Sequence, residues 1–194
     1  MARVEQPGVR DPAPEPLRLV QDLVNTVDLE GGSEELRTAE EAADWARGRG
    51  LSGRGYDADA LADVLTLREA LRDVCAAHAG TDVPAATTAA LDRLLARAPL
   101  RLAVDAEGRA TVVPAGGLAG ADELAAAVAA AIVRATADGT WPRLKACAAG
   151  TCRWVYYDRS PAGRSRWCTM AICGSRAKMR TYRKNGRVSA PEAG

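Results

Sequence analysis

The sequence predicts a mainly α-helical unit with one small β-hairpin, followed by a small treble-clef-like α+β module. Three observations carry this. Helical hydrophobic spacing runs from Leu17 to Asp138 with one change of period. Four of five cysteines lie within 27 residues near the C-terminus. Charge divides at Pro142: 14 Lys/Arg against 23 Asp/Glu before it gives −9, and 12 against 2 after it gives +10, so the overall +1 hides two differently built units. Six of the eight Trp and Tyr also fall between Trp141 and Tyr182, and Phe is absent.

Residues 1–16 hold four prolines without periodicity and read as a disordered leader. Leu17, Val20, Val24 and Val27 then share a helical face until Gly31-Gly32 breaks it. Thr38 with Glu41 forms a capping box for a short helix through Trp45, ended by Gly48 and Gly50. Asp57 caps a long helix with Leu61, Val64, Leu65, Arg68, Leu71, Val74, Cys75 and His78 on one stripe, stopped by Gly80. Pro84 suits the first turn of a helix to about Ala98. Leu100, Leu102 and Val104 alternate, Asp105–Gly108 turns, and Ala110, Val112 and Pro114 alternate again, which predicts a hairpin. Asp122 to Asp138 is an Ala-rich helix closed by Gly139. The expected helical unit spans 17–140, with Trp141-Pro142 as the joint.

The second unit, 141–187, holds Cys147-x4-Cys152 and Cys168-x4-Cys173, leaving 188–194 as a tail. Two short loops each turning two thiolates toward one point supply a tetrahedral S₄ site, which suits one structural Zn²⁺ and leaves no open position for a catalytic water. Two redox-active disulfides, or four unrelated buried thiols, are the competing readings; a segment with so little apolar material needs a staple, which favours the metal. Arg153, Arg166 and Arg176 are expected to help keep the thiolates ionised. Arg153–Asp158 reads as a strand, Ser160–Gly163 as a turn, Ser165–Trp167 as the returning strand. A helix then follows to about Lys184, stopped by Asn185-Gly186. Trp154, Tyr156 and Trp167 are expected to form the small core against Met170 and Met179 rather than a base-stacking platform.

Only Asp158 and Glu192 are acidic after Arg143, so these cations read as lacking partners, which points to a polyanion. Arg159, Arg164, Lys184 and Arg187 are placed on phosphates, Arg176, Lys178, Arg180 and Arg183 on base edges of double-stranded DNA, and Arg166 is also expected to bind nucleic acid. About five neutralised phosphates would give a log–log salt slope of about −4 to −5. A solvated or protein-binding face, an RNA-binding module and a thiol redox switch are the rival readings.

The run from Cys152 to Arg187 resembles the CGNR zinc-finger family: Cys147, Cys152, Trp154, Tyr156, Asp158, Ser160, Arg166, Trp167, Cys168, Met170, Cys173, Gly174, Arg176, Ala177 and Lys178 fit its pattern, with Ser175 where the family has Asn. The stretch Leu19–Asp28, with TAEEAADWARGRGL and LREALR after it, is similar to the helical ABATE domain. The resemblance implies a stress-responsive transcription regulator with a DNA-binding finger.

Asp22, Asn25, Thr26 and Asp28 are candidates for lining a ligand pocket, or simply cap and face water. Cys75 and His78 read as packing residues. No phosphate-cradling glycine motif, paired catalytic carboxylates or triad occurs, so no enzyme is expected. The longest apolar run, Leu124–Val133, has ten residues, too short for a membrane span. A soluble cytoplasmic protein is expected, with a small-molecule effector and a homodimer left open.

Overall fold

The computed structural model describes residues 10–188, except the side chains of Thr181 and of residues 184–188. Helix α1 (Leu17–Val24) buries Leu17, Val20, Leu23 and Val24. The chain turns at Asn25, so Val27 lies in a strand, β1 (Val27–Asp28), paired antiparallel with β2 (Ser33–Glu34). Asp28 accepts the N–H groups of Glu30 and Gly31, both at 2.9 Å, which closes that turn. Helix α2 (Ala39–Arg47) carries the capping box, Glu41 N–H donating to Thr38 Oγ1. Asp57 caps α3 (Ala58–Ala77), the central helix, which contacts α1, α2, α5 and the first finger strand. Next come α4 (Ala85–Leu95), the hairpin of β3 (Leu100–Val104) and β4 (Ala110–Pro114), and α5 (Gly120–Ala137). Gly120 has φ +57°, and a Cβ there would sit 2.3 Å from the Gly55 carbonyl oxygen, so the loop before α3 and the start of α5 approach closely only because this position lacks a side chain.

After one 3₁₀ turn, β5 (Leu144–Ala146) pairs antiparallel with β6 (Val155–Tyr157), and a π-helical turn, Met170–Gly174, leads into α6 (Ser175–Val188). The finger's hairpin therefore differs from the expected one. Leu144–Ala146 supplies the second strand, while Ser165 has its backbone bound by side chains: its N–H donates to Asp158 Oδ2 at 2.8 Å and its carbonyl accepts from Tyr156 Oη at 2.8 Å. Helix α6 runs through Asn185-Gly186 rather than stopping there.

The two units share a core. Leu144, Ala146, Val155 and Tyr157 pack with the buried residues of α1, α3 and α5, and a smaller cluster surrounds the cysteines. Polar side chains of the helical unit grip the finger's backbone. Asn25 donates to the Val155 carbonyl at 2.7 Å and accepts the Val155 N–H at 2.9 Å, completing the strand's pairing like a short neighbouring strand. Gln21 donates to the same carbonyl at 3.2 Å and accepts the Ala13 N–H at 2.6 Å. Arg72, 0% exposed, donates to the carbonyls of Val24 at 2.6 Å and Arg153 at 3.0 Å, and pairs with Glu69. His78 lies 2.8 Å from the Leu144 carbonyl and edge-on to Trp141. Trp141-Pro142 is thus a packed joint.

The disordered-leader expectation fails for residues 10–16. Ala13 is buried, and Arg10 donates to the Cys168 carbonyl and, at 3.2 Å, to the Trp167 carbonyl, with its guanidinium 4.6 Å from the Tyr156 ring centre. Backbone carbonyls of the finger give that segment its fixed place. Residues 1–9 and the tail from 189 lie outside the described residues.

Candidate metal centre and basic helix

The four cysteines come from two turns. In the first, the Cys152 and Arg153 N–H groups both donate to the Ala149 carbonyl, at 2.9 and 3.0 Å, and Cys147 N–H donates to the Trp154 carbonyl at 2.9 Å, closing a tight knuckle. Arg153 pays with a left-handed backbone, φ +47°, held by its ion pair with Asp73 at 2.6 Å and by Arg72 on its carbonyl. The second turn is π-helical, with Thr169 accepting the Ile172 N–H at 3.3 Å and Cys173 at its inner side. The wide π turn places Cys173 two residues before the start of α6. Ser175, where the family has Asn, opens α6 and donates to the Met170 carbonyl at 3.1 Å.

All four Sγ atoms lie within 4.8 Å of one another and all four residues are buried. Cys152 and Cys168 are 3.7 Å apart, Cys168 and Cys173 3.6 Å. A tetrahedral Zn²⁺ with Zn–S near 2.3 Å holds its sulfurs about 3.8 Å apart, so these two pairs already have the spacing such an ion imposes. None of the four is in a disulfide. The electrostatics agree. Hydrogen bonds from the Cys152 and Cys168 thiols, joined by the N–H groups of Cys168 and Ala149, push Cys147 far below the usual thiol range. Hydrogen bonding to Cys147 pushes Cys152 and Cys168 up, with burial and the Cys147 charge adding to it, and burial raises Cys173. Four thiolates this close together call for a divalent cation in their midst. Cys147, Cys152, Cys168 and Cys173 form a site for one structural zinc. Of the arginines expected to help keep the thiolates ionised, Arg153 pairs with Asp73, and the Arg166 guanidinium sits 5.8 Å from the Trp167 ring centre.

A buried pair braces the loop between the turns. Asp158, 0% exposed, accepts from Lys145 Nζ at 3.0 Å, Ser160 Oγ at 2.7 Å and the N–H groups of Ser160 and Ser165. Burial opposes its charge, but the Ser160 hydroxyl, Lys145 and the two N–H groups outweigh it and hold the carboxyl at about 2. Lys145 also donates to the Gly163 carbonyl.

Trp154 and Tyr156 are buried and Trp167 half-buried against the cysteines, whereas Met170 (66%) and Met179 (52%) are exposed, so the methionines are not part of that core.

The predicted nucleic-acid residues separate into groups. Arg176, Arg180 and Arg183 line one shallow groove with Ile172, Ser175 and Met179. Lys178, Arg180, Arg183 and Arg164 are exposed, with no acidic partner among the described residues. Three expected free cations have partners: Arg176 pairs with Glu30 on the β1–β2 turn, Arg153 with Asp73, and Arg159 donates to the Pro12 carbonyl at 2.7 Å and lies over the Tyr157 ring. The expectation that these cations lack acidic neighbours held only within their own segment; the acids come from the helical unit. The side chains of Lys184 and Arg187 lie outside the described residues.

Of the four pocket candidates, Asp22 lines a cavity, beside Arg18 and Arg49. Asn25 grips Val155, Thr26 accepts from Arg68 at 3.2 Å, and Asp28 serves its turn. Sequence reasoning missed Gln21, Arg72 and Lys145. Their signal was available: Gln21 and Arg72 stand as polar residues on apolar helical stripes, where a buried polar group must have a partner. Among the described residues no helix is long and apolar enough to cross a membrane.

Comparison with curated proteins finds no match to this chain. The family model of the CGNR zinc finger matches residues 143–185, over the knuckles, the strands and α6. A second model, ABATE, described as "Putative stress-induced transcription regulator", matches residues 17–139, from α1 to the end of α5. The helical unit and the sulfur cluster at its side thus have one common explanation: this chain belongs to the ABATE family and carries a CGNR zinc finger.

Proposed function

We propose that the protein is a zinc-stapled regulator of transcription that binds double-stranded DNA through α6, acting by binding and not as an enzyme, in the cytoplasm and in a stress response. One observation carries this reading: Lys178, Arg180 and Arg183 stand exposed on the helix that starts at the zinc turn, without acidic partners among the described residues. Arg180 and Arg183, with Arg176, lie at i, i+4 and i+7, so one face meets a groove. Zinc when bound fixes the start of that helix; Asn25, Arg72 and Asp158 hold the surrounding backbone, so the helix is presented on a rigid body. Duplex is favoured over single strands because Trp154 and Tyr156, the aromatics a stacking platform would need, are buried.

The test is binding of the zinc-loaded full chain to duplex DNA as a function of salt. With Arg164, Lys178, Arg180 and Arg183 as contacts, the log–log slope should be about −4, and Arg180→Ala with Arg183→Ala should flatten it by about 2. Binding that is absent or indifferent to salt overturns the proposal.

A further inference from the structure

The β3–β4 hairpin leaves one strand edge open. Among the described residues no strand pairs with the second side of β3. Its sequence, Leu-Arg-Leu-Ala-Val, contains neither proline nor lysine, the usual guards of an exposed edge. Leu102 is 65% and Val104 63% exposed.

The register shows which backbone groups face outward. Ala115 N–H donates to the Pro99 carbonyl at 2.9 Å and Asp105 N–H to the Arg109 carbonyl at 3.1 Å. Antiparallel pairs alternate between bonded and non-bonded. Residues 99, 101, 103 and 105 therefore bond inward to β4, and the N–H and C=O groups of Leu100, Leu102 and Val104 point away from it.

We propose that β3 is a self-association edge, pairing antiparallel with β3 of a second copy about a two-fold axis at Ala103. The strand is self-complementary in that register and carries its own argument. Leu102 falls opposite the second copy's Val104, and Val104 opposite its Leu102, as bonded pairs built from the outward-facing groups, so both exposed apolar side chains are covered. On the other face Arg101 falls opposite Asp105, twice, flanking a central Ala103–Ala103 contact that is small enough for close approach. Asp105 is already fixed for this: its carboxylate accepts from the N–H groups of Glu107 and Arg109 and from Arg109 Nε at 2.8 Å. Arg101 is exposed and has no partner among the described residues. Pairing converts two two-stranded ribbons into one four-stranded sheet, and it joins two helical units without using α6 or the zinc site.

The experiment is sedimentation equilibrium of the zinc-loaded full chain across the micromolar to millimolar range. The expected result is a mass rising toward twice 20.4 kDa. Leu102→Lys should stay at the single-chain mass, with helical ellipticity and zinc content unchanged because Leu102 is exposed. Arg101→Glu, which sets like charges opposite Asp105, should weaken association about tenfold. Ala103→Cys should yield a disulfide-linked pair with oxidised glutathione, while the parallel wild-type sample, whose Cys75 is buried and whose other thiols form the metal centre, should not. A single-chain mass throughout, a dimer that survives Leu102→Lys, or a dimer without a crosslink at 103 overturns the proposal.

Discussion

Replacing Asn25 by alanine asks whether the finger and the helical unit unfold together. Asn25 is buried and its carboxamide serves both backbone groups of Val155, which is itself fully buried. Removal leaves the Val155 N–H without its acceptor, while the carbonyl keeps the longer bond from Gln21 at 3.2 Å. An unsatisfied buried donor costs about 1–3 kcal/mol, and weakening the second bond adds about 1 kcal/mol, so the expected loss is about 2–4 kcal/mol. For a chain of this length that lowers Tm by roughly 5–15 °C. Two probes should be followed on one sample: far-UV ellipticity, which reports mostly α1–α5, and zinc release to a chromophoric chelator. Both transitions should fall by the same amount, because Val155 and Tyr157 belong to the core that α1, α3 and α5 build. A shift in zinc release with unchanged ellipticity, or a loss below about 0.5 kcal/mol, would refute the reasoning, since either would make the grip on β6 dispensable to the helical unit.

Three further outcomes follow from the same geometry. Cys173→Ser should abolish stoichiometric zinc, read by elemental analysis, and lower the ellipticity transition too, because the zinc turns hold β5 and β6 in the shared core. Lys145→Met strands the buried Asp158 carboxylate and should cost about 3–5 kcal/mol in urea unfolding. With Asp158 held at about 2, its stabilisation is complete above about pH 4 and fades as pH falls toward 2; in Lys145→Met it should fade at higher pH. Glu30→Gln frees Arg176 and, on the DNA-binding reading, should steepen the salt slope on duplex DNA by about 0.9; an unchanged slope would show that Arg176 makes no phosphate contact.

What could be read from residues alone follows from how locally each feature is determined. Thr38 and Asp57 cap their helices through contacts three residues away, and the 100–114 hairpin is set by its own alternation and turn. The cysteine spacing was legible because a metal's ligand geometry constrains sequence directly. What escaped depends on partners far along the chain. Leu144–Ala146 is too short to show alternation and becomes a strand only because Val155–Tyr157 returns beside it. Asn25 reads as a pocket-lining or water-facing residue until the finger's strand arrives 130 residues later. Arg10 resembled leader composition because the carbonyls that fix it, at Trp167 and Cys168, lie at the other end of the sequence.

The charge division takes on a more exact meaning with the fold in view. A −9 stretch up to Pro142 beside a +10 stretch after it invites the idea that one masks the other. Among the described residues, however, the helical unit meets the finger's cations with carboxylates at two places, Asp73 on Arg153 and Glu30 on Arg176. The first is structural, since it steadies a left-handed residue inside the zinc knuckle. The second lies at the start of α6 and leaves Lys178, Arg180 and Arg183 open. Most of the acids therefore repel a polyanion rather than hide the finger from it. On a rigid body this repulsion favours approaches that present α6 and disfavours those that present the helical unit, and it acts over about one Debye length, near 8 Å at physiological salt. The acidic unit then orients the encounter, and among the described residues Glu30 competes with phosphate for a reading residue.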